Sequence, residues 1–133
     1  MLQSGSLVEV FEFPVITQQQ LQAYAEASGD FNPIHLDEQE AKKVGLPGVI
    51  AHGMLSAALI AERAVRFVEK EAPLKRYKLV QFQTRFKAMT GLGDQLSVRG
   101  VVKEVTEHGI TVELQAKNQK GQLITTGLAQ FRS

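Results

Sequence analysis

Residues Gly53-Met-Leu-Ser-Ala-Ala-Leu-Ile-Ala-Glu-Arg-Ala-Val-Arg-Phe-Val-Glu-Lys-Glu71 decide the fold of this chain. The first two turns of this stretch are apolar on nearly every side, whereas its second half alternates apolar and charged residues at helical spacing. Glu62 and Arg66 lie one helical turn apart, in the order that stabilises a helix. The stretch therefore predicts a helix from Gly53 to about Glu71, stopped by Pro73 and enclosed on most sides at its beginning.

A two-residue period replaces the helical one after Pro73. Apolar residues at positions 110, 112, 114 and 116 alternate with polar ones, which is typical of a half-buried strand. Further strands are expected at 75–86, 95–106 and 123–132, and a short one at 7–13. The glycine-containing turns at 107–109 and 118–121 are too short for crossovers, so neighbouring strands should run antiparallel.

Two shorter helices are expected between the first strand and the long helix. Residues 17–20 (TQQQ) have the spacing of a capping box, and Gly29 would end the helix that Thr17 begins. Asp37 would cap a second helix, which Gly45 and the Pro-Gly pair at 47–48 would end.

The element order β-α-α-α-β-β-β-β predicts an α+β fold in which an antiparallel sheet wraps around the long helix. A chain of 133 residues is large enough for a real core, and we expect one domain over residues 1–133. A single sheet of this kind leaves edge strands. Because pairing across a two-fold axis would cover those edges, a homodimer is expected.

Composition excludes several classes of function. The net charge of +1 gives no reason to expect a nucleic-acid partner. A chain without cysteine has no disulfide framework, thiolate nucleophile or cysteine-rich zinc site, and its three histidines lack the spacing of a helical metal pair. The N-terminus does not have the pattern of a secretory signal, and no apolar run reaches membrane-spanning length. We therefore expect a cytoplasmic protein with no metal and no membrane partner.

A carboxylate and an imidazole share the short segment Asp30-Phe-Asn-Pro-Ile-His35. Pro33 fixes its own φ angle and favours extended geometry at Asn32, so the segment is restrained. Taken alone, Asp30 is typical of a turn and His35 of a half-buried structural histidine. Taken together, they can point at one small molecule such as water. A catalytic loop benefits from this restraint, and so does a purely structural turn.

The beginning of the long helix is a candidate anion site. Gly53 contributes an amide that has no partner within the helix and lies at the positive end of the helix dipole. That N–H can stabilise an oxygen that gains negative charge, although a glycine where a loop meets a helix also serves close packing. His52 is expected to position the loop rather than to contact a substrate.

These residues resemble the signature of the MaoC-like, (R)-specific enoyl-CoA hydratases. The likeness is carried by residues 30–37 (DFNPIHLD), Ala41, residues 48–54 (GVIAHGM), and residues 82–86 followed by the Gly-Asp pair at 93–94. It extends over most of the chain. The fold of that family is the hotdog, which agrees with the sheet and helix expected here.

The resemblance implies reversible addition of water to a trans-2-enoyl thioester of coenzyme A or acyl-carrier protein, which gives an (R)-3-hydroxyacyl thioester. It implies that Asp30 and His35 hold and activate the water and shuttle its proton, while the Gly53 amide stabilises the thioester oxygen. Asn32, which shapes the loop, and Met54 are implied on the substrate-binding side. No metal or redox cofactor is implied. The acyl chain would lie in an apolar tunnel beside the long helix, walled in part by a second subunit.

Two other functions stay open. A hotdog thioesterase would use a similar helix amide but hydrolyse the thioester, usually with a carboxylate about two turns into the central helix. Glu62 is near that place, but its pairing with Arg66 accounts for it, and Ala61 takes the neighbouring inward position. The other alternative is a non-catalytic acyl-binding subunit of a heteromeric dehydratase, against which the intact Asp30 and His35 argue.

Overall fold

A long helix lies against all five strands of one antiparallel sheet in the computed structural model, which describes residues 2–133. The helix, α3 (Gly53–Glu71), begins and ends where the sequence predicts. Its side chains Ile60, Ala64 and Val68 are buried in the main hydrophobic cluster together with side chains of the strands. The predicted antiparallel sheet around one long helix is therefore confirmed, and the core lies between the two.

The other elements follow the predicted order. They are β1 (Leu7–Glu12), α1 (Gln18–Ser28), a 3-10 turn (Pro33–His35), α2 (Glu38–Lys43), β2 (Lys78–Phe86), β3 (Ser97–Val105), β4 (Gly109–Lys117) and β5 (Leu123–Arg132). β2 starts later than predicted, because the turn after α3 continues to Arg76, whose φ angle of 51° is left-handed. The 3-10 turn lies in a segment that the sequence predicts only as a loop.

Short polar residues begin the two small helices, as predicted. Thr17 Oγ1 accepts a hydrogen bond of 3.2 Å from the amide of Gln20 at the start of α1. Gly29 ends α1 with a φ angle of 79°, in the left-handed region that glycine adopts without strain. Asp37 Oδ1 accepts hydrogen bonds of 2.9 and 3.1 Å from two amides of α2. These caps fix the ends of the segment that carries Asp30 and His35.

The strand order in the sheet is β1-β3-β4-β5-β2, so β1 and β2 are the edges. Every neighbouring pair is antiparallel, as the short turns predict. β4 buries its apolar side chains at 110, 112, 114 and 116, which confirms the predicted alternation. The edge strand β2 leaves Leu79, Val80 and Phe86 exposed.

The centre of the core is closed by a near contact between α3 and β5. A Cβ atom at Gly127 would lie 2.8 Å from Ile60 Cγ2 and 3.2 Å from Phe82 Cε1. Ile60 is fully buried, so it has no solvent to move into. The absence of a side chain at Gly127 therefore sets how closely the helix approaches the sheet.

We expect Gly127→Ala to lower the free energy of unfolding by about 1–3 kcal/mol, because the added methyl overpacks the core. In an Ile60→Ala background the same change should be much less destabilising, since the colliding Cγ2 is gone. Urea unfolding of the four proteins of this double-mutant cycle measures the coupling. Simple additivity of the two single changes would contradict the proposed contact.

One side of the beginning of α3 remains open, which differs from the expectation that most of it would be enclosed. Leu55, Ser56 and Ala57 are buried, but Met54 and Ala58 are exposed. The open side lies next to the edge of the sheet, where Phe86 of β2 approaches Gly53. Among residues 2–133, no helix is long and apolar enough to cross a membrane.

Candidate active site

Two consecutive side-chain turns shape the segment between α1 and the 3-10 turn. Asp30 Oδ1 accepts a hydrogen bond of 3.1 Å from the Asn32 amide, and Asn32 Oδ1 accepts one of 3.2 Å from the Ile34 amide. Short polar side chains next to proline favour such turns. Only one oxygen of Asp30 is used in this way, so Oδ2 remains available. The turn-forming and the chemical interpretations of Asp30 are therefore compatible.

His35 is held with one ring nitrogen toward the backbone and the other toward Asp30. Its Nδ1 lies 2.7 Å from the carbonyl oxygen of Ile50, and because a carbonyl only accepts, Nδ1 carries the proton and donates. In the neutral ring, Nε2 then has a free lone pair. That nitrogen is 3.9 Å from Asp30 Oδ2. The ring is buried, whereas about half of the Asp30 side chain is exposed.

The gap between His35 and Asp30 suits a shared water molecule. A direct hydrogen bond would need a distance of about 3 Å, and both atoms are acceptors when the imidazole is neutral. A water can give one hydrogen to each acceptor and keep its own lone pairs free. Such a water is oriented as a nucleophile, with two groups in place to take its proton.

His52 ties the start of α3 to this segment. Its Nε2 donates a hydrogen bond of 3.0 Å to the carbonyl oxygen of Asp30. Its ring stacks on that of His35, with centroids 3.9 Å apart and an angle of 25° between the planes, and it also contacts the ring of Tyr24. Nearby, the backbone amide of Ile50 donates a hydrogen bond of 3.1 Å to the carbonyl oxygen of Ile34. Residues 30–37 and 48–54 are thus brought together in space.

Gly53 is the first residue of α3, and its amide has no hydrogen-bond acceptor within residues 2–133. The turn that carries it is anchored, because Ser56 Oγ donates to the Gly53 carbonyl at 2.8 Å and lies 2.8 Å from Thr125 Oγ1 of β5. The His52 side chain makes no capping bond to the helix. The amide is therefore a fixed donor at the positive end of the helix dipole.

A metal ion is not favoured at this cluster, although Asp30, His35 and His52 place candidate ligand atoms within 4.8 Å of one another. The lone pair of an imidazole nitrogen lies in the ring plane. Since the His35 and His52 planes differ by only 25°, their lone pairs cannot converge on one ion about 2 Å from each nitrogen. The two rings would have to separate before they could bind a metal together.

The surface beside Gly53 is apolar and open. A Cβ atom at Gly53 would lie 3.4 Å from the Phe86 ring, which places this aromatic side chain at the start of α3. Met54, the next residue, and Phe86 are each more than half exposed, and so is Phe31, which follows Asp30. Five cavities of 210 to 580 Å³ lie elsewhere, and Asp30, His35 and Gly53 line none of them. None of these five reaches the site, so none is the apolar tunnel that the resemblance implies for the acyl chain.

The structure brings Asp30 and His35 together and places Gly53 directly after His52, which contacts both. Asn32 uses its oxygen to shape the loop, and Met54 lies exposed in the first turn of α3. Sequence reasoning missed the stacking of His52 on His35 and the approach of Phe86 to Gly53. Phe86 belongs to the strand after the long helix, and no periodicity indicates which end of that strand meets residue 53.

Comparison with known proteins identifies similar sequences. A family model described as "MaoC like domain" matches residues 9–122. The chain is 34% identical over 112 residues to fatty acid synthase 2 of Mycosarcoma maydis, covering 82% of this chain but 3% of the synthase. It is 28% identical over 108 residues to the mitochondrial 3-hydroxyacyl-[acyl-carrier-protein] dehydratase of Arabidopsis thaliana, covering 80% of this chain and 61% of that protein.

Solved structures show the same architecture. The R-hydratase PhaJ1 from Pseudomonas aeruginosa superposes with a TM-score of 0.84 at 30% sequence identity, over 99% of this chain and 82% of that one. The predicted hotdog fold is thereby confirmed, since this hydratase shares the five-stranded sheet and the long helix over nearly the whole chain.

Proposed function

The chain belongs to the MaoC-like domain family, and on that premise we propose that it is a hydro-lyase acting on acyl thioesters. Its reaction is the reversible, (R)-specific addition of water to trans-2-enoyl thioesters, which in reverse dehydrates 3-hydroxyacyl thioesters. The observation that carries this proposal is the 3.9 Å gap between two acceptors, Asp30 Oδ2 and His35 Nε2. That pair can orient one water and accept its proton.

In the hydration direction, the water held by Asp30 and His35 attacks C3 of the enoyl group. A C–O bond forms at C3, and one proton of the water passes to the pair. The electrons of the C2=C3 double bond move toward the thioester carbonyl, so its oxygen gains negative charge. A proton is then delivered to C2, and the sum is addition of one water across the double bond. Asp30 and His35 act as a coupled pair.

The Gly53 amide is the donor for the developing enolate oxygen. It is fixed in the first turn of α3 and has no competing acceptor within the described chain. A donor held in place before the reaction stabilises the charge without reorganising at that moment. The open surface around Phe31, Met54 and Phe86 would receive the acyl group of a coenzyme A or acyl-carrier-protein thioester.

A homodimer would complete the acyl site. Within residues 2–133 the edge strand β2 pairs only with β5, and its exposed residues include Leu79, Val80 and Phe86. Phe86 also borders Gly53, so a second copy seated on this edge would cover the apolar surface beside the site. An exposed edge with apolar side chains favours pairing with another strand. The partner subunit would then wall the tunnel that one chain leaves open.

Val80→Lys should dissociate this dimer, because a charge on an edge strand opposes pairing. Sedimentation should shift from twice the chain mass of 14.7 kDa toward the monomer, with a loss of hydratase activity. Val10→Lys is a matched control, since Val10 lies on the other edge strand and both valines are 54% exposed. A V80K protein that stays dimeric, or a V10K protein that dissociates instead, would contradict an interface on β2.

The thioesterase alternative receives no support from α3. Glu62 lies on the exposed side of the helix, and its carboxylate pairs with Arg66 at 3.2 Å, as predicted. No specific contact favours an inert subunit either. Incubation of the purified chain with trans-2-enoyl thioesters from crotonyl to dodecenoyl tests the proposed function. We expect loss of the enoyl absorbance without release of free thiol; thiol release would indicate a thioesterase, and inactivity an inert subunit.

A further inference from the structure

His52 is a buried residue with an unpartnered polar atom. Its ring is almost completely buried, and its Nδ1 atom has no hydrogen-bond partner within residues 2–133. A buried acceptor without a partner destabilises the folded state, and apolar side chains of similar size would not carry that cost. The contacts of the rest of the ring indicate what the histidine does instead.

Both of those contacts go to the reacting residues, one to the backbone of Asp30 and the other to the ring of His35. The Nε2–H of His52 donates to the backbone carbonyl of Asp30 at 3.0 Å. The face of its ring stacks on His35 at a centroid distance of 3.9 Å. One side chain therefore restrains the backbone of the carboxylate residue and the ring plane of the imidazole residue at the same time.

When the two stacked rings are neutral, their hydrogen bonds require opposite tautomers. His52 donates from Nε2 to a carbonyl, whereas His35 donates from Nδ1 to the carbonyl of Ile50 at 2.7 Å. Backbone carbonyls only accept, so both assignments follow. In His35 this leaves Nε2 free for the water. Rotation of the His35 ring about its stacking contact would move that lone pair away from Asp30.

We propose that His52 is a positioning residue for the hydration reaction, which holds the Asp30 carbonyl and the His35 ring so that their acceptors face one water. This inference rests on the proposed function. We assign His52 no contact with the substrate, because its ring is buried and packs against the rings of His35 and Tyr24. A displacement of reacting groups by about 1 Å is enough to lower a rate by about 10²-fold.

Two substitutions separate the contacts of His52. His52→Phe keeps an aromatic ring to stack on His35 but loses the donor to Asp30, and it also removes the unpartnered Nδ1. His52→Gln keeps a donor near the position of Nε2 but loses the ring. For H52F we expect kcat to fall by about 10–100-fold with KM within about twofold of wild type. Its urea midpoint should equal or exceed that of wild type. H52Q should recover part of the lost kcat.

A merely structural histidine would give another pattern, in which activity and stability fall together and both variants behave alike. That outcome would overturn the inference, and so would an H52F protein with the kcat of wild type. Asp30→Asn assayed in parallel distinguishes failure of the positioning role of His52 from failure of the proposed hydratase chemistry. If D30N is inactive and H52F is normal, only the positioning role of His52 fails. If D30N is also fully active, the role proposed for the Asp30–His35 pair fails first, and a wild-type chain without hydratase activity refutes the proposed function itself.

Nitrogen-15 spectra of histidine-labelled wild-type protein test the geometry without any activity assay. We expect one buried ring protonated at Nδ1 and another at Nε2, which have distinct coupling patterns. H52F should lose the second pattern and alter the resonances of His35. Two buried rings of the same tautomer would overturn the inference, even if a substitution at His52 prevented folding.

Discussion

Asp30→Asn should lower the hydratase kcat by about 10²–10⁴-fold while leaving the fold intact. The asparagine can keep the turn, because its Oδ1 can still accept from the Asn32 amide as Asp30 Oδ1 does at 3.1 Å. At the position of Oδ2, however, it presents an NH2 group. That group donates rather than accepts, so the second hydrogen of the water has no acceptor. Steady-state hydration of crotonyl-CoA measures kcat, and a urea unfolding curve checks that the fold is intact.

Two further variants make this test specific. In His35→Asn the side-chain NH2 group can replace Nδ1 as the donor to the Ile50 carbonyl, but nothing replaces Nε2. We therefore expect kcat to fall by a similar factor. Asp37→Asn is the control, because it makes the same charge change at the cap of α2, where asparagine caps as well as aspartate. D37N should retain activity. Near-normal turnover of both D30N and H35N would contradict the roles proposed for this pair.

Gly53→Pro should lower kcat by about 10²–10³-fold relative to Gly53→Ala, since proline removes the single N–H proposed to bind the enolate oxygen. The backbone can accept it: proline is favoured at the first position of a helix. His52, which precedes it, has φ −60° and ψ 133°, in the region that residues before proline adopt.

Gly53→Ala is the matched control because it adds the same Cβ and keeps the amide. That Cβ would lie 3.4 Å from the Phe86 ring in either variant, so the contact with the aromatic side chain cancels in the comparison. Comparing kcat for the two folded proteins isolates the effect of the N–H donor on the rate. Equal turnover of G53P and G53A would show that the oxygen is stabilised elsewhere.

Much of this fold can be predicted because its helices, caps and strands depend on residues that are close together in the sequence. The bounds of α3 follow from one amphipathic stretch, and the Thr17 and Asp37 caps from side chains next to the amides that they bind. The alternation of β4 likewise gives its buried face. In each case the deciding interactions join residues at most a few positions apart.

The site is less predictable, because its contacts join distant parts of the chain. The segment around Asn32-Pro33 indicates that Asp30 and His35 share a restrained loop, but not that both rings of the His35–His52 stack are buried or that their tautomers differ. The open side of α3 is missing from the sequence prediction for a related reason. A nearly all-apolar helix predicts burial, without saying whether its own chain or a second one provides the cover.

Hydration of crotonyl-CoA in water enriched in oxygen-18, followed by mass spectrometry and chiral analysis of the product, tests the central claim most directly. We predict a single oxygen-18 at C3 of an intact 3-hydroxyacyl thioester of (R) configuration, formed by the wild-type chain alone and lost in D30N. Oxygen-18 in a free carboxylate with release of coenzyme A, or no oxygen-18 in any product, would contradict the account.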